Sequence, residues 1–136
     1  MKPLLLISAV LLQLVLACNA AGSKSHEIRF PPGSSSTQVS GSVKGYDFVT
    51  YQLRAQAGQQ MRVVMDTSHS ASYFNIFPPG KGPGDAAIFI GSTSGNRFSQ
   101  TLPADGVYTI QVYLMRSAAR REESARYTLD IAITGP

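Results

Sequence analysis

Beyond residue 36, apolar and polar residues alternate through most of the chain. Val49, Tyr51 and Leu53 fall on one side of "FVTYQLRA", and Met61, Val63 and Met65 on one side of "QMRVVMD". The same holds for Tyr108, Ile110, Val112 and Leu114 in "VYTIQVYL", and for Tyr127, Leu129, Ile131 and Ile133 in "YTLDIAI". A period of two gives each segment one dry and one wet face, the signature of an antiparallel strand. Turn sequences separate the segments: "AGQ" at 57–59, "PPGKGPGD" at 78–85, "TSGN" at 93–96 and "PADG" at 103–106. No long segment carries a helical apolar stripe. With "TQVSGSVK", "SYFNIF", "AIFIG" and "RFSQTL" as further strands, residues 37–136 are expected to form a single all-β domain. Its expected form is an antiparallel β-sandwich of about eight strands, jelly-roll-like, without disulfides. Tyr108, Ile110, Val112, Leu129, Ile131 and Ile133 are its expected core.

The segments before that domain differ in character. Lys2 followed by "LLLISAVLLQLVLA" reads as a signal peptide over residues 1–20, cleaved near Ala20. A lipobox-like "VLAC" offers the alternative of cleavage before Cys18, which would leave an acylated lipoprotein. Either outcome places the domain outside the cytoplasm, in the periplasm, with no membrane contact unless Cys18 carries a lipid. Residues 21–36, "AGSKSHEIRFPPGSSS", are polar apart from "EIRF" and suggest a tether with a short edge strand. Cys18 is the single cysteine in the sequence, so stability has to come from buried apolar surface. Of the 12 basic residues, Lys2 leaves with the leader; 11 then face 8 acidic ones, a net charge of +3. That excess is too small to imply a nucleic-acid partner, but four of the arginines (116, 120, 121 and 126) fall within one stretch. Monomer and homodimer are both compatible with the sequence.

Catalytic chemistry finds little to work with. After the leader there are two histidines, His26 in the tether and His69 in the polar "DTSHSAS", and no G-x-S-x-G motif accompanies them. Zinc would require more cysteine or histidine, and the oxygen-ligand spacing of a calcium loop is absent. "GKGPGD" lacks the G-K-S/T ending of a phosphate loop, and no pair of carboxylates stands out for glycoside hydrolysis. The expectation is a binding protein with no catalytic residue, no cofactor and no metal.

Residues 40–65, "SGSVKGYDFVTYQLRAQAGQQMRVVM", followed by 102–133, "LPADGVYTIQVYLMRSAARREESARYTLDIAI", resemble the bacterial periplasmic inhibitors of goose-type (g-type) lysozyme. "KGYD" at 44–47 and "RSAAR" at 116–120 are the specific parts. The resemblance implies that Tyr46, Arg116 and Arg120 form a patch that enters the lysozyme cleft as a basic plug, with Asp47 and Arg121 as further candidates beside them. Sister groups act on invertebrate-type and chicken-type lysozymes. Chicken-type inhibitors share an S-G-x-x-Y motif; here Ser40 and Gly41 are followed by Lys44 in the tyrosine place, which argues against that target.

The residues themselves fit that implication. A guanidinium matches the two oxygens of a carboxylate and stays charged in partly dry surroundings. Arginines at i and i+4 share a face if "SAARREE" makes a helical turn, although like charges so placed repel slightly. Tyr46 offers a flat ring with a polar tip. Bland readings stand beside these: "RREE" as a self-neutralising hairpin tip in which Arg121 pairs with Glu122 or Glu123, Arg126 as the first residue of the return strand, and Tyr46 as half-buried filler. Two other functions also remain open, inhibition of invertebrate-type lysozyme and non-catalytic binding of carbohydrate or peptidoglycan.

Overall fold

A computed structural model describes residues 22–135; the signal peptide and Cys18 lie outside the described residues. Nine strands form in chain order: β1 (Ser23–Glu27), β2 (Ser36–Lys44), β3 (Phe48–Ala55), β4 (Gln60–Thr67), β5 (Ser72–Phe77), β6 (Phe89–Ile90), β7 (Arg97–Thr101), β8 (Gly106–Leu114) and β9 (Ser124–Thr134). Two short helical turns interrupt them, α1 (Gly91–Ser94) and α2 (Arg116–Arg120). One sheet runs β1-β3-β8-β5-β6 and the other β2-β9-β4-β7.

The pairing is nested. The outermost pair is β2–β9, and inside it come β3–β8, β4–β7 and β5–β6, all antiparallel. Contacts β4–β9 and β5–β8 close each sheet. This is a long antiparallel hairpin rolled into two layers, the jelly-roll arrangement that the alternation led us to expect. β1 departs from it by pairing parallel to β3, so the first sheet is mixed and the edge strand lies at "SKSHE", ahead of "EIRF". All five residues of β1 are exposed, so backbone pairing, and no apolar pattern, places it. "AIFIG" also yields less strand than expected, only Phe89 and Ile90, because the chain coils into α1 directly afterwards.

Each alternating series points inward as expected. Tyr108, Ile110, Val112, Leu129, Ile131 and Ile133 are all buried, together with Met61, Val63 and Leu53. Phe74, Phe89 and Phe98 form an aromatic chain across the two layers, with ring centroids 5.1 and 5.2 Å apart. The hydroxyls of Tyr51, Tyr108 and Tyr127 within the core find partners, whereas the buried Ser72 hydroxyl has none among the described residues. The Tyr108 hydroxyl donates to the Ala104 carbonyl (2.7 Å), closing the loop before its own strand. Tyr51 of β3 and Tyr127 of β9 join hydroxyls across the sandwich at 2.7 Å. Gly41 makes room for this pair, since a Cβ there would lie 2.6 Å from the Tyr127 hydroxyl.

Burial pushes the Tyr51 phenol above its ordinary value of 10.0, an effect that the bond to Tyr127 partly offsets. Burial also raises the Tyr127 phenol, and there the bond to Tyr51 adds to the effect. Both are therefore neutral hydroxyls at physiological pH. Because the folded state holds these protons more tightly, stability is expected to be level below about pH 10 and to fall as pH rises beyond it. Tyr51→Phe or Tyr127→Phe should each cost about 1–2 kcal/mol by stranding the other hydroxyl, while the double replacement should cost less than the sum and flatten the alkaline fall. Denaturant unfolding across pH measures both effects.

Candidate functional site

β8 lies in one sheet and β9 in the other, so residues 115–123 cross the end of the sandwich and are not the tip of a hairpin. Their length follows from that path, because facing sheets stand about 10 Å apart. Midway, Arg116–Arg120 coil into α2. A single turn is not stable alone. Ala118 and Ala119 hold it, both fully buried beneath it, while Arg116, Ser117 and Arg120 are exposed. At its start the Met115 N–H donates to the Ala71 carbonyl (2.9 Å). At its end the N–H groups of Glu122 and Glu123 donate back to Ala119 (3.0 Å) and Ala118 (3.2 Å), with Glu122 at φ 56°. That is the Schellman closure, with a glutamate in the left-handed position where glycine is usual.

The turn between β2 and β3 lies against this segment. Gly45, at φ 60°, lets the chain reverse so that the Asp47 N–H reaches the Lys44 carbonyl (3.0 Å). The Gly45 N–H then donates to the Glu123 carbonyl (2.9 Å). That bond seats Tyr46, 58% exposed, beside the C-terminal end of α2. The structure thus brings Tyr46, Arg116 and Arg120 to one end of the sandwich.

Charges in the segment divide into spent and free. Arg121 faces Glu123 through Nε–Oε2 (3.2 Å) and Nη2–Oε1 (3.3 Å), and His69 Nε2 lies 3.4 Å from the same carboxylate. His69 Nδ1 accepts the Ala71 N–H (3.0 Å); since a backbone N–H can only donate, the neutral ring carries its proton on Nε2, toward Glu123. The Arg121 guanidinium, aided by His69 and opposed by partial burial, holds the Glu123 carboxyl below the usual glutamate range. Arg121 therefore has a partner, whereas Arg116 and Arg120 form no ion pair with any described residue. They stand four residues apart on one turn and share a face. Asp47 pairs with neither arginine: its carboxylate lies against Gly22, where any side chain would overlap it, and the residue lines a groove that it shares with Tyr46.

Sequence reasoning missed three features here. His69 invited a catalytic test and instead braces Glu123. Met115 and Ile90, 40% and 42% exposed, join Tyr46 as the large apolar or aromatic side chains open to water among the described residues, and all three lie at this end. For Met115 the signal was present, an apolar residue directly before Arg116 in an otherwise polar segment. Among the described residues no three His, Cys, Asp or Glu side chains cluster as metal ligands.

No protein-family model matches the sequence. The inhibitor of g-type lysozyme of Escherichia coli (strain K12) is 33% identical over 129 residues, covering 93% of each chain. The chain belongs to the family of g-type lysozyme inhibitors. Solved structures of this family agree. The Aeromonas hydrophila protein PliG, a periplasmic inhibitor of g-type lysozyme, is 40% identical and superposes with a TM-score of 0.76 over 83% of this chain and 98% of its own. The periplasmic g-type lysozyme inhibitor of Salmonella Typhimurium is 29% identical, with a TM-score of 0.62 over 82% of this chain and 98% of its own. Within this family fold, α2 and the 44–47 turn are two neighbouring projections on a rigid frame.

Two expectations follow from the clamp. Glu122→Gly should stabilise the domain by roughly 0.5–1 kcal/mol, because relief of left-handed strain exceeds the extra freedom glycine gives the unfolded chain; thermal unfolding reads this directly. The depressed Glu123 carboxyl stabilises the fold above the ordinary carboxyl value of 4.5, and that contribution is lost as pH falls through the lowered value. The melting difference between the protein and Glu123→Gln should accordingly be full at neutral pH and shrink on acidification below 4.5. A difference that stays constant would mean that the carboxylate charge is not what braces the segment.

Proposed function

We propose that this chain is a periplasmic inhibitor of g-type lysozyme, a binding protein and not an enzyme, which inserts the basic segment 115–123 into the enzyme's acidic substrate cleft and so protects peptidoglycan. The observation that carries this reading is the clamped helical turn. Ala118 and Ala119 are sealed in the core and the turn is tied at both ends, so Arg116 and Arg120 project from a rigid base beside Tyr46. Lysozymes cleave glycosidic bonds with carboxyl groups set in a long groove, and a guanidinium can bridge both oxygens of such a group. Little ordering entropy is lost when a segment already folded in its bound shape enters the groove. The Tyr46 ring suits a site made for sugar rings. Arg121, already paired with Glu123, contributes long-range attraction more than contact.

Titration of g-type lysozyme with the mature domain is expected to abolish activity near equimolar ratio, with invertebrate-type and chicken-type enzymes far less affected. Arg116→Ala or Arg120→Ala should change folding stability by no more than about 0.5 kcal/mol. Either should weaken inhibition by about 2 kcal/mol, roughly thirtyfold, since a lysozyme carboxylate is left dry and unpaired. Arg116→Lys should also bind less tightly, because an ammonium cannot form the two-pronged contact. Arg121→Ala should mainly slow association. If all three arginine-to-alanine changes weaken binding by one small common factor, the segment acts only as diffuse positive charge and the plug reading fails.

A further inference from the structure

Two arginines and a tyrosine make a small footprint. A specific protein interface usually engages about 20–30 residues a side, so a tight inhibitor needs further surface next to the plug. On the outer face of the first sheet, at the same end, lies a shallow groove of about 380 Å³ bounded by Tyr46, Asp47, Phe48, Asn75, Ile90 and Tyr113. Its two ends join features already described: Tyr46 belongs to the turn beside α2, and Leu114, also in its wall, leads directly into Met115.

The groove is built with some precision. Phe89 enters the aromatic chain of the core, so alternation turns Ile90 outward. Alternation requires only that the residue face solvent, and here it is a large aliphatic one. Gly91 presses so closely on β5 that a Cβ would meet the Phe74 carbonyl oxygen at 2.5 Å, which fixes Ile90 against the sheet. Asn75 Oδ1 accepts from the Tyr113 hydroxyl (3.0 Å) and from the Gly91 N–H (3.3 Å). The backbone donor settles which amide atom faces inward, so the Asn75 NH₂ is held in a fixed direction and has no acceptor among the described residues.

We propose that this shelf is a second contact with lysozyme, resting on the reading of segment 115–123 as the plug: Ile90 and Tyr113 receive an uncharged apolar stretch of the enzyme beside its cleft, and the Asn75 amide donates to a backbone carbonyl there. Continuity with the plug and the exposed aliphatic Ile90 favour a protein occupant; the rings of Tyr46, Phe48 and Tyr113 would also serve a sugar, and the test separates the two.

The test compares dissociation kinetics of the mature domain and its variants on immobilised g-type lysozyme across salt concentration. Asn75→Asp keeps an oxygen for both the Tyr113 hydroxyl and the Gly91 N–H but removes the amide donors; Ile90→Asp places a charge on the shelf, and Ile90→Ser is its milder counterpart. Each should melt like the parent protein. Asn75→Asp and Ile90→Asp should dissociate about tenfold faster and Ile90→Ser less so; the uncharged Ile90→Ser should leave the salt dependence of affinity unchanged, whereas Arg116→Ala should reduce that dependence. Parental affinity in all the shelf variants, with Arg116→Ala still weak, overturns the shelf and spares the plug. A parent protein that does not inhibit overturns both. Binding of a soluble N-acetylglucosamine oligomer to the free domain, lost in Asn75→Asp, would reassign the groove to sugar.

Discussion

Burial of two alanine methyl groups is the constraint on which the proposed inhibitory end depends. One turn of helix has no stability of its own, and α2 adds to that two like charges on one face. Ala118 and Ala119 are small enough to let the turn sit flush on the end of the core, and their complete burial fixes which way the neighbouring arginines point. Larger residues would lift the turn; polar ones would strand hydrogen-bonding groups where no partner exists. The backbone bonds to Ala71 and Gly45 then fix the rotation and tilt of the turn against two other segments. The backbone positions of the two arginines are therefore inherited from the sandwich, and only their side-chain rotamers have to be fixed on binding.

Local electrostatics follow the same economy. Five charged groups stand between Arg116 and Glu123. Glu123 is engaged by Arg121 and His69, which removes one cation and one anion from the exposed set. Glu122 is drawn over Gly45 by the left-handed closure, where a Cβ on Gly45 would lie 3.1 Å from its carboxylate. Arg116 and Arg120 are left as the cations of the segment without an ion pair among the described residues, with Arg121 and Glu122 exposed beside them. "RREE" looks self-cancelling in the sequence, and in part it is, but the cancellation is selective.

How much of this was legible depended on the range of the interaction. The inward series of β3, β4, β8 and β9 could be read directly, since burial on one face imposes a period of two. β1 could not, because its five exposed residues carry no such pattern and its parallel pairing is decided by a strand far along the chain. The helical turn at 116–120 was legible from composition and spacing. Its role as a bridge between sheets was not, because strand order is set by contacts across the whole domain. Likewise His69 and Ala71 could be recognised as supports only once β4 and β5 had placed their connection beside residue 115. Asp47 shows the converse: its contact with Gly22, a residue far back in the chain, could not be seen locally.

The nested strand order has a consequence in time. Pairing of Ser36 with Ala132 closes nearly the whole domain upon itself, and chains ruled by such distant contacts fold slowly. The surface at the working end draws on the 44–47 turn, the 68–71 connection and the 115–123 crossover, which meet only when β9 takes its place between β2 and β4. A chain still emerging, or held extended during transport, has the arginines but nowhere to mount them. On the proposed reading the inhibitory surface is complete only once β9 has docked, so competence to bind would come with the finished fold.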